Sequence, residues 1–108
     1  RLLIAHGADV EAQAGECGTA LTIASAEGYI DVVHLLIELG ADVNARGGQF
    51  ETALQAASAC GHPEITRLLI ARGADVQARG GHYGTALQAA CMCGHVKVVR
   101  LLIESGAD

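Results

Sequence analysis

Aromatic residues are nearly missing from this chain of 108 residues: they make up 3%, tryptophan is absent and phenylalanine occurs once. That scarcity excludes a single thick core built around large rings. Proline also occurs only once, and the 14 glycines are dispersed, so punctuation is present without a disordered or low-complexity tract. No apolar run approaches the roughly 18 residues of a membrane-spanning helix. No secretory leader is visible either, although the chain starts in mid-pattern at Arg1-Leu2-Leu3-Ile4. Positive charge is scarce: 7 Lys and Arg stand against 12 Asp and Glu, for a net charge of −5. An acidic chain repels phosphate backbones, which argues against nucleic acid as a partner.

Hydrophobic residues nonetheless reach 51%, carried by Ala with Leu, Ile and Val. Small apolar side chains let helices approach closely and suit thin layers of paired helices. The 4 cysteines, Cys17, Cys60, Cys91 and Cys93, are too few for the disulfide framework of a small secreted domain. They read as reduced thiols in a cytoplasmic protein.

One period organises the chain. Gly-Ala-Asp-Val occurs at 7–10, 40–43 and 73–76, and Gly-Ala-Asp again at 106–108. Leu-Leu-Ile occurs at 2–4, 35–37, 68–70 and 101–103, and Thr-Ala-Leu at 19–21, 52–54 and 85–87. Every step is 33 residues, so the chain divides into a partial unit 1–6, repeats 7–39, 40–72 and 73–105, and the start of another unit at 106–108.

Each repeat reads as two helices and a turn. Thr19, Thr52 and Thr85 are placed to cap a first helix, with Gln55 and Gln88 at capping-box spacing and Thr22 as a weaker substitute. Gly28, Gly61 and Gly94 end that helix. Pro63 fits the first position of a second helix, where its missing N–H costs nothing. Asp31 and Glu64 suit the dipole at that end, and Lys97 does not. Ile30, Val33, Leu36 and Ile37 form one apolar stripe that Val32 and Leu35 widen, so the second helix touches neighbours on more than one side. The spacing predicts helix pairs at 19–27 with 30–39, 52–60 with 63–72 and 85–93 with 96–105, after a helical stub at 1–6. About ten polar, Gly-rich residues join the units as a hairpin-like turn.

A 33-residue unit carrying Thr-Ala-Leu-Gln, Ala-x-x-x-Gly-His, Val-Val-x-Leu-Leu-Ile and Gly-Ala-Asp-Val resembles the ankyrin repeat over essentially the whole chain. The resemblance implies an all-α solenoid of stacked helix-turn-helix units. The chain departs from the family pattern with Ala20, Ala53 and Ala86 in place of Pro, and with Thr22, Gln55 and Gln88 in place of His. Gly47 and Phe50, or Gly80 and Tyr83, replace the family's Asp and Gly in the turn. The Gly-Gly-x-Tyr-Gly-Thr-Ala-Leu-Gln form resembles arrays of fungal multidomain signalling proteins.

The resemblance also implies protein binding, through a concave surface made by turn tips and first helices. Carried over residue by residue, the partner-binding set is Glu16, Glu27, Arg46, Gln49, Phe50, Glu51, Arg79, His82, Tyr83, Met92 and Cys93. Gln13, Ala26, Ala59 and Cys60 share the same exposed inner positions. Several of these positions vary between repeats while their flanks do not, so the frame does not dictate them. Phe50 and Tyr83 either pack finger against finger or contact a partner. The alternative to recognition is a structural spacer that binds nothing itself.

Other chemistry finds little support. His62 and His95, beside glycines at the start of second helices, suit structural hydrogen bonds. His34 suits a solvated face, and Thr66 a core position bonded back to the preceding turn. Cys91-Met92-Cys93-Gly94-His95 lacks the four converging ligands of structural zinc, since residues two apart on a helix point about 200° apart. Cys91 takes the place of Ser25 and Ser58 and is expected to pack inward, with Cys93 outward. A Cys60–Cys93 disulfide is disfavoured because neighbouring helices lie about 8–10 Å apart. Gly47-Gly48 and Gly80-Gly81 lack the Lys and Ser/Thr of a phosphate loop, and no nucleophile elbow is present. The reading is a non-enzymatic module with no cofactor or metal, no membrane segment and another protein as its partner. Finally, residues 7–39 hold six acids and no Lys or Arg, whereas residues 73–105 are slightly basic. With apolar second helices toward both ends, including Leu101 and Leu102, end-to-end self-association is expected.

Overall fold

A computed structural model describes residues 19–47, 50–81 and 83–106. They form six helices: α1 (Ala20–Glu27), α2 (Ile30–Glu38), α3 (Ala53–Cys60), α4 (Pro63–Ala71), α5 (Ala86–Cys93) and α6 (Val96–Glu104). The three expected pairs are all present, each bound within a residue or so of its predicted limits. The stub expected at 1–6 lies outside the described residues. None of the six helices is long and apolar enough to cross a membrane.

Local chemistry explains the bounds. Thr52 Oγ1 accepts from Gln55 N at 3.2 Å, and Gln55 Oε1 accepts from Thr52 N at 3.1 Å, which completes a capping box. Thr85 and Gln88 repeat it. Thr19 also caps through Thr22 N, but Thr22 returns a hydroxyl contact of 3.0 Å to the Thr19 hydroxyl. Pro63 occupies the first turn of α4, as expected. The connecting turns are hairpin-like: Gly47 N donates to Glu51 O at 2.8 Å, and Gly80 N to Gly84 O at 3.1 Å.

Within each pair the second helix supplies the bulk. Val33 and Leu36 of α2, Ile65 and Leu69 of α4, and Val98 and Leu102 of α6 are fully buried. They meet Leu21 and Leu54 and a layer of alanines that includes Ala53, Ala57, Ala86 and Ala90. The first helices α1, α3 and α5 stack closely through those methyl groups, while the second helices α2, α4 and α6 touch one another much less. Thr66 is buried among the apolar residues, and its hydroxyl donates to His62 O at 2.9 Å, the back-bond its position predicts.

Polar side chains then fasten each pair to the next. Asn44 Nδ2 donates to Gly73 O at 3.0 Å, while its Oδ1 accepts from Asp75 N at 2.8 Å. Gln77 Nε2 repeats the first of these bonds to Gly106 O at 2.7 Å. Gln55 Nε2 reaches forward to the carbonyls of Gly80 and Gly84. His62 and His95 reach backward to Ala26 O and Ala59 O, each at 3.0 Å. A carbonyl can only accept, so Nε2 carries the proton in both rings. Both histidines therefore do structural work, as expected.

Two expected orientations need correction. Ala59, assigned to the exposed inner face, is buried, because its methyl group is too short to emerge past the neighbouring helices. Cys91, expected to pack inward like Ser25 and Ser58, is exposed. The two serines are buried beneath the helix pair that follows each of them, and among the described residues no pair follows α5 and α6.

The His95 contact distinguishes two otherwise similar glycines. Gly61 and Gly94 both end a first helix with φ of 75°. An alanine in that left-handed conformation costs about 1–2 kcal/mol. A β-carbon at Gly61 would also meet the His95 ring at 2.5–2.9 Å, whereas one at Gly94 meets nothing within 4 Å. Gly61→Ala should therefore destabilise the chain more than Gly94→Ala, by about 1 kcal/mol or more, as the His95–Ala59 bond is displaced. Urea unfolding of the two variants checks this; equal losses would mean that the imidazole yields freely.

Candidate functional site

The carboxyl-terminal ends of the first helices and the connecting turns share one side of the stack. Glu27, Cys60 and Cys93 occupy the same position in successive first helices, 33 residues apart, and all three are exposed. They are close enough to sense one another's charge. Partial burial pushes the Cys60 thiol above its ordinary value, and the neighbouring Cys93 and Glu27 push it further the same way. Cys60 therefore remains a neutral thiol at neutral pH. Tyr83 joins the group from the turn. The neighbouring Cys93 holds the Tyr83 phenol above the ordinary value, first through charge and second through a hydrogen bond. Met92 stands beside Cys93 with 71% of its surface exposed. The result is a patch of soft, polarisable side chains with one carboxylate at its edge.

A second cluster lies in the turns. Arg46 Nη1 donates to Arg79 O at 2.9 Å and sits 3.9 Å from Glu51 Oε2. Part of its hydrogen-bonding capacity is thus committed to the stack, although the side chain is 48% exposed. Arg79 itself is exposed, and Phe50 is half-buried. Glu51 has φ of 76°, the one described residue other than glycine in that region, at the position Gly84 occupies in the next turn. A side chain there costs about 1–2 kcal/mol of backbone strain. Its stem lies against Gly80, where a β-carbon would approach Glu51 Cγ to 2.7 Å.

The structure thus brings Glu27, Tyr83 and Cys93 together around Cys60, with Met92 exposed next to Cys93 in the chain, and groups Arg46, Glu51 and Arg79 in the turns. Glu16, Gln49 and His82, with Gln13, lie outside the described residues. Sequence reasoning missed the second role of Gln55, whose capping-box spacing explains its oxygen but not its amide. Its replacement of the family's His was the available signal, since both side chains can bridge a cap to a neighbouring turn.

Among the described residues, no group of three or more His, Cys, Asp or Glu side chains is placed to hold a metal ion, and Cys60, Cys91 and Cys93 are free thiols. Among the described residues, the clefts along α4 and α6 are open to solvent.

Comparison with known proteins gives a consistent result. A family model for three copies of the ankyrin repeat matches residues 46–108, and one for many copies matches residues 1–37 and 21–70. No curated protein matches the chain. Its 33-residue period, its three stacked helix pairs and these matches agree: the chain belongs to the ankyrin-repeat family, whose repeats generally serve as modules for binding other proteins.

Proposed function

We propose that this chain is a single array, divided at 7–39, 40–72 and 73–105, that recognises one protein partner on the concave side formed by its turns and first-helix ends. The observation that carries the reading is the patch of Glu27, Cys60, Cys93 and Tyr83 beside exposed Met92. Cys60 and Cys93 stand where the first repeat has Glu27, and Met92 stands where the other repeats have Ala26 and Ala59, in a frame that otherwise recurs. Methionine and tyrosine adapt to and anchor apolar groups of a partner. Arg46, Glu51 and Arg79 add a charged margin, with Phe50 beside them; Glu16, Gln49 and His82 extend the set by register. Such a surface positions a partner and performs no chemistry on it. Free thiols suit a cytoplasmic setting.

A spacer role has one observation in its favour: Arg46 is engaged by the next turn rather than held free. The two readings separate by experiment. Replacing Arg79 and Tyr83 together by Ala should weaken partner capture about tenfold or more in pull-downs with the intact parent protein, with helicity unchanged. Unchanged capture, or an early loss of the fold, would assign these residues to the scaffold.

The strained turn gives a second test. Glu51→Gly should leave the unfolding midpoint unchanged or raise stability by up to about 1 kcal/mol, because glycine suits the left-handed backbone. The same variant should capture less partner. A variant that is both less stable and fully competent would show that Glu51 is there for the stack alone.

Self-association rests on the far side of α6, where Ile103 is 57% exposed; Leu102 is fully buried and belongs to the interior instead. Sedimentation of the 108-residue chain should show concentration-dependent association that Ile103→Lys removes. A strictly monomeric chain at high concentration would dismiss it.

A further inference from the structure

The second helices carry a feature that the concave reading does not use. Because α3 and α5 are drawn together by alanines while α4 and α6 touch less, a cleft of about 620 Å³ opens between α4 and α6 on the opposite side of the stack. Its apolar lining is Pro63, Val96 and Leu101, and Val96 is 68% exposed. Arg67, Lys97 and Arg100 line it as well. These are three of the seven Lys and Arg in a chain of net charge −5. Among the described residues, no carboxylate lies within ion-pair distance of any of the three, the one such pair being Arg46 with Glu51. The corresponding positions of α2 are Asp31 and His34, so the cationic cleft belongs to α4 and α6 and not to the repeat as such.

We propose that this cleft is a second docking surface, which takes an acidic amphipathic helix from a protein partner. Two nine-residue helices span about 13 Å, enough for two to three turns of a helix laid along them. Arg67 and Arg100 occupy equivalent positions near the middle of the cleft and face carboxylates in the partner's central turn. Glu64 and Glu104 sit at opposite ends, where they repel further acids and so limit the acidic stretch to that centre. Pro63, Val96 and Leu101 take the apolar stripe of the same helix. A phosphate chain fits less well: it has no use for the apolar lining, and the two carboxylates and the net charge oppose it.

Fluorescence anisotropy on the full 108-residue chain tests this. The probe is a labelled amphipathic peptide of about fourteen residues with a leucine stripe and glutamates in its central turn; its control is the same composition scrambled. The ordered peptide should bind at least about tenfold more tightly than the scrambled one and weaken with salt. Arg67→Glu with Arg100→Glu should reduce binding about tenfold or more, and the milder Arg67→Gln with Arg100→Gln serves if the reversed pair fails to fold. Arg79→Ala with Tyr83→Ala, on the concave side, should leave this binding unchanged even where it removes the partner proposed above. Equal binding of ordered and scrambled peptides overturns the proposal. So does indifference to both Arg67/Arg100 pairs, or loss only in the Arg79/Tyr83 variant. Stronger capture of a single-stranded oligonucleotide at the same arginines would overturn it in favour of phosphate recognition.

Discussion

A pair of helices eight and nine residues long has no inside. Two such rods share only one line of contact, and the apolar surface left over on α2, α4 and α6 spreads well beyond it. Everything else follows from the need to cover that surplus with an identical neighbour. The core is a row of shallow layers rather than a centre, which is why the chain can do almost without aromatic residues. Alanine on the first helices permits the close stacking of α1, α3 and α5, and the same economy of bulk tips the second helices apart. One cause therefore produces both the continuous core and the cleft behind it.

Stacking alone leaves polar backbone groups at every junction, and burying these unpaired is costly. The chain answers with side chains that work on two repeats at once. Gln55 closes its own helix cap with its oxygen and holds the next turn with its one side-chain nitrogen. Histidine does the reverse task, reaching back from His62 and His95 to the preceding helix end beside a glycine that leaves room for the ring. These side chains are committed to the junctions between repeats. The recognition surface proposed above draws instead on positions where the repeats differ, such as Glu27 against Cys60 and Cys93.

Most of the fold was legible because its signals are local. Threonine caps, terminal glycines and Pro63 mark helix ends within a few residues, so the limits of all six helices could be read without knowing the packing. What escaped depends on neighbours. Ala59 and Cys91 were misplaced because repeat position alone does not reveal whether the next helix pair covers a side chain. Glu51 resembles any polar turn residue in sequence; only the backbone shows that it occupies a glycine's conformation. The grouping of Tyr83, Cys93, Cys60 and Glu27 was partly visible as a column spaced by 33, but the entry of Tyr83 into that column depends on the fold of the turn. The cleft between α4 and α6 gave no sequence signal, since Arg67 and Arg100 come to line one cleft only when the helices are placed.

The offsets of the inter-repeat bonds carry a consequence for how such a chain changes length. Asn44 to Gly73, Gln77 to Gly106 and Gln55 to Gly84 each span 29 residues, Arg46 to Arg79 spans 33, and both histidine bonds span 36. Duplicating or deleting a block of 33 residues moves every donor onto an acceptor of the same kind, so the array can lengthen or shorten without inventing a junction. Inserting a single residue within a block misaligns its bonds with both neighbours. Variation in length is therefore steered into whole units, and the exposed positions travel with them as a ready-made set that can diversify after copying.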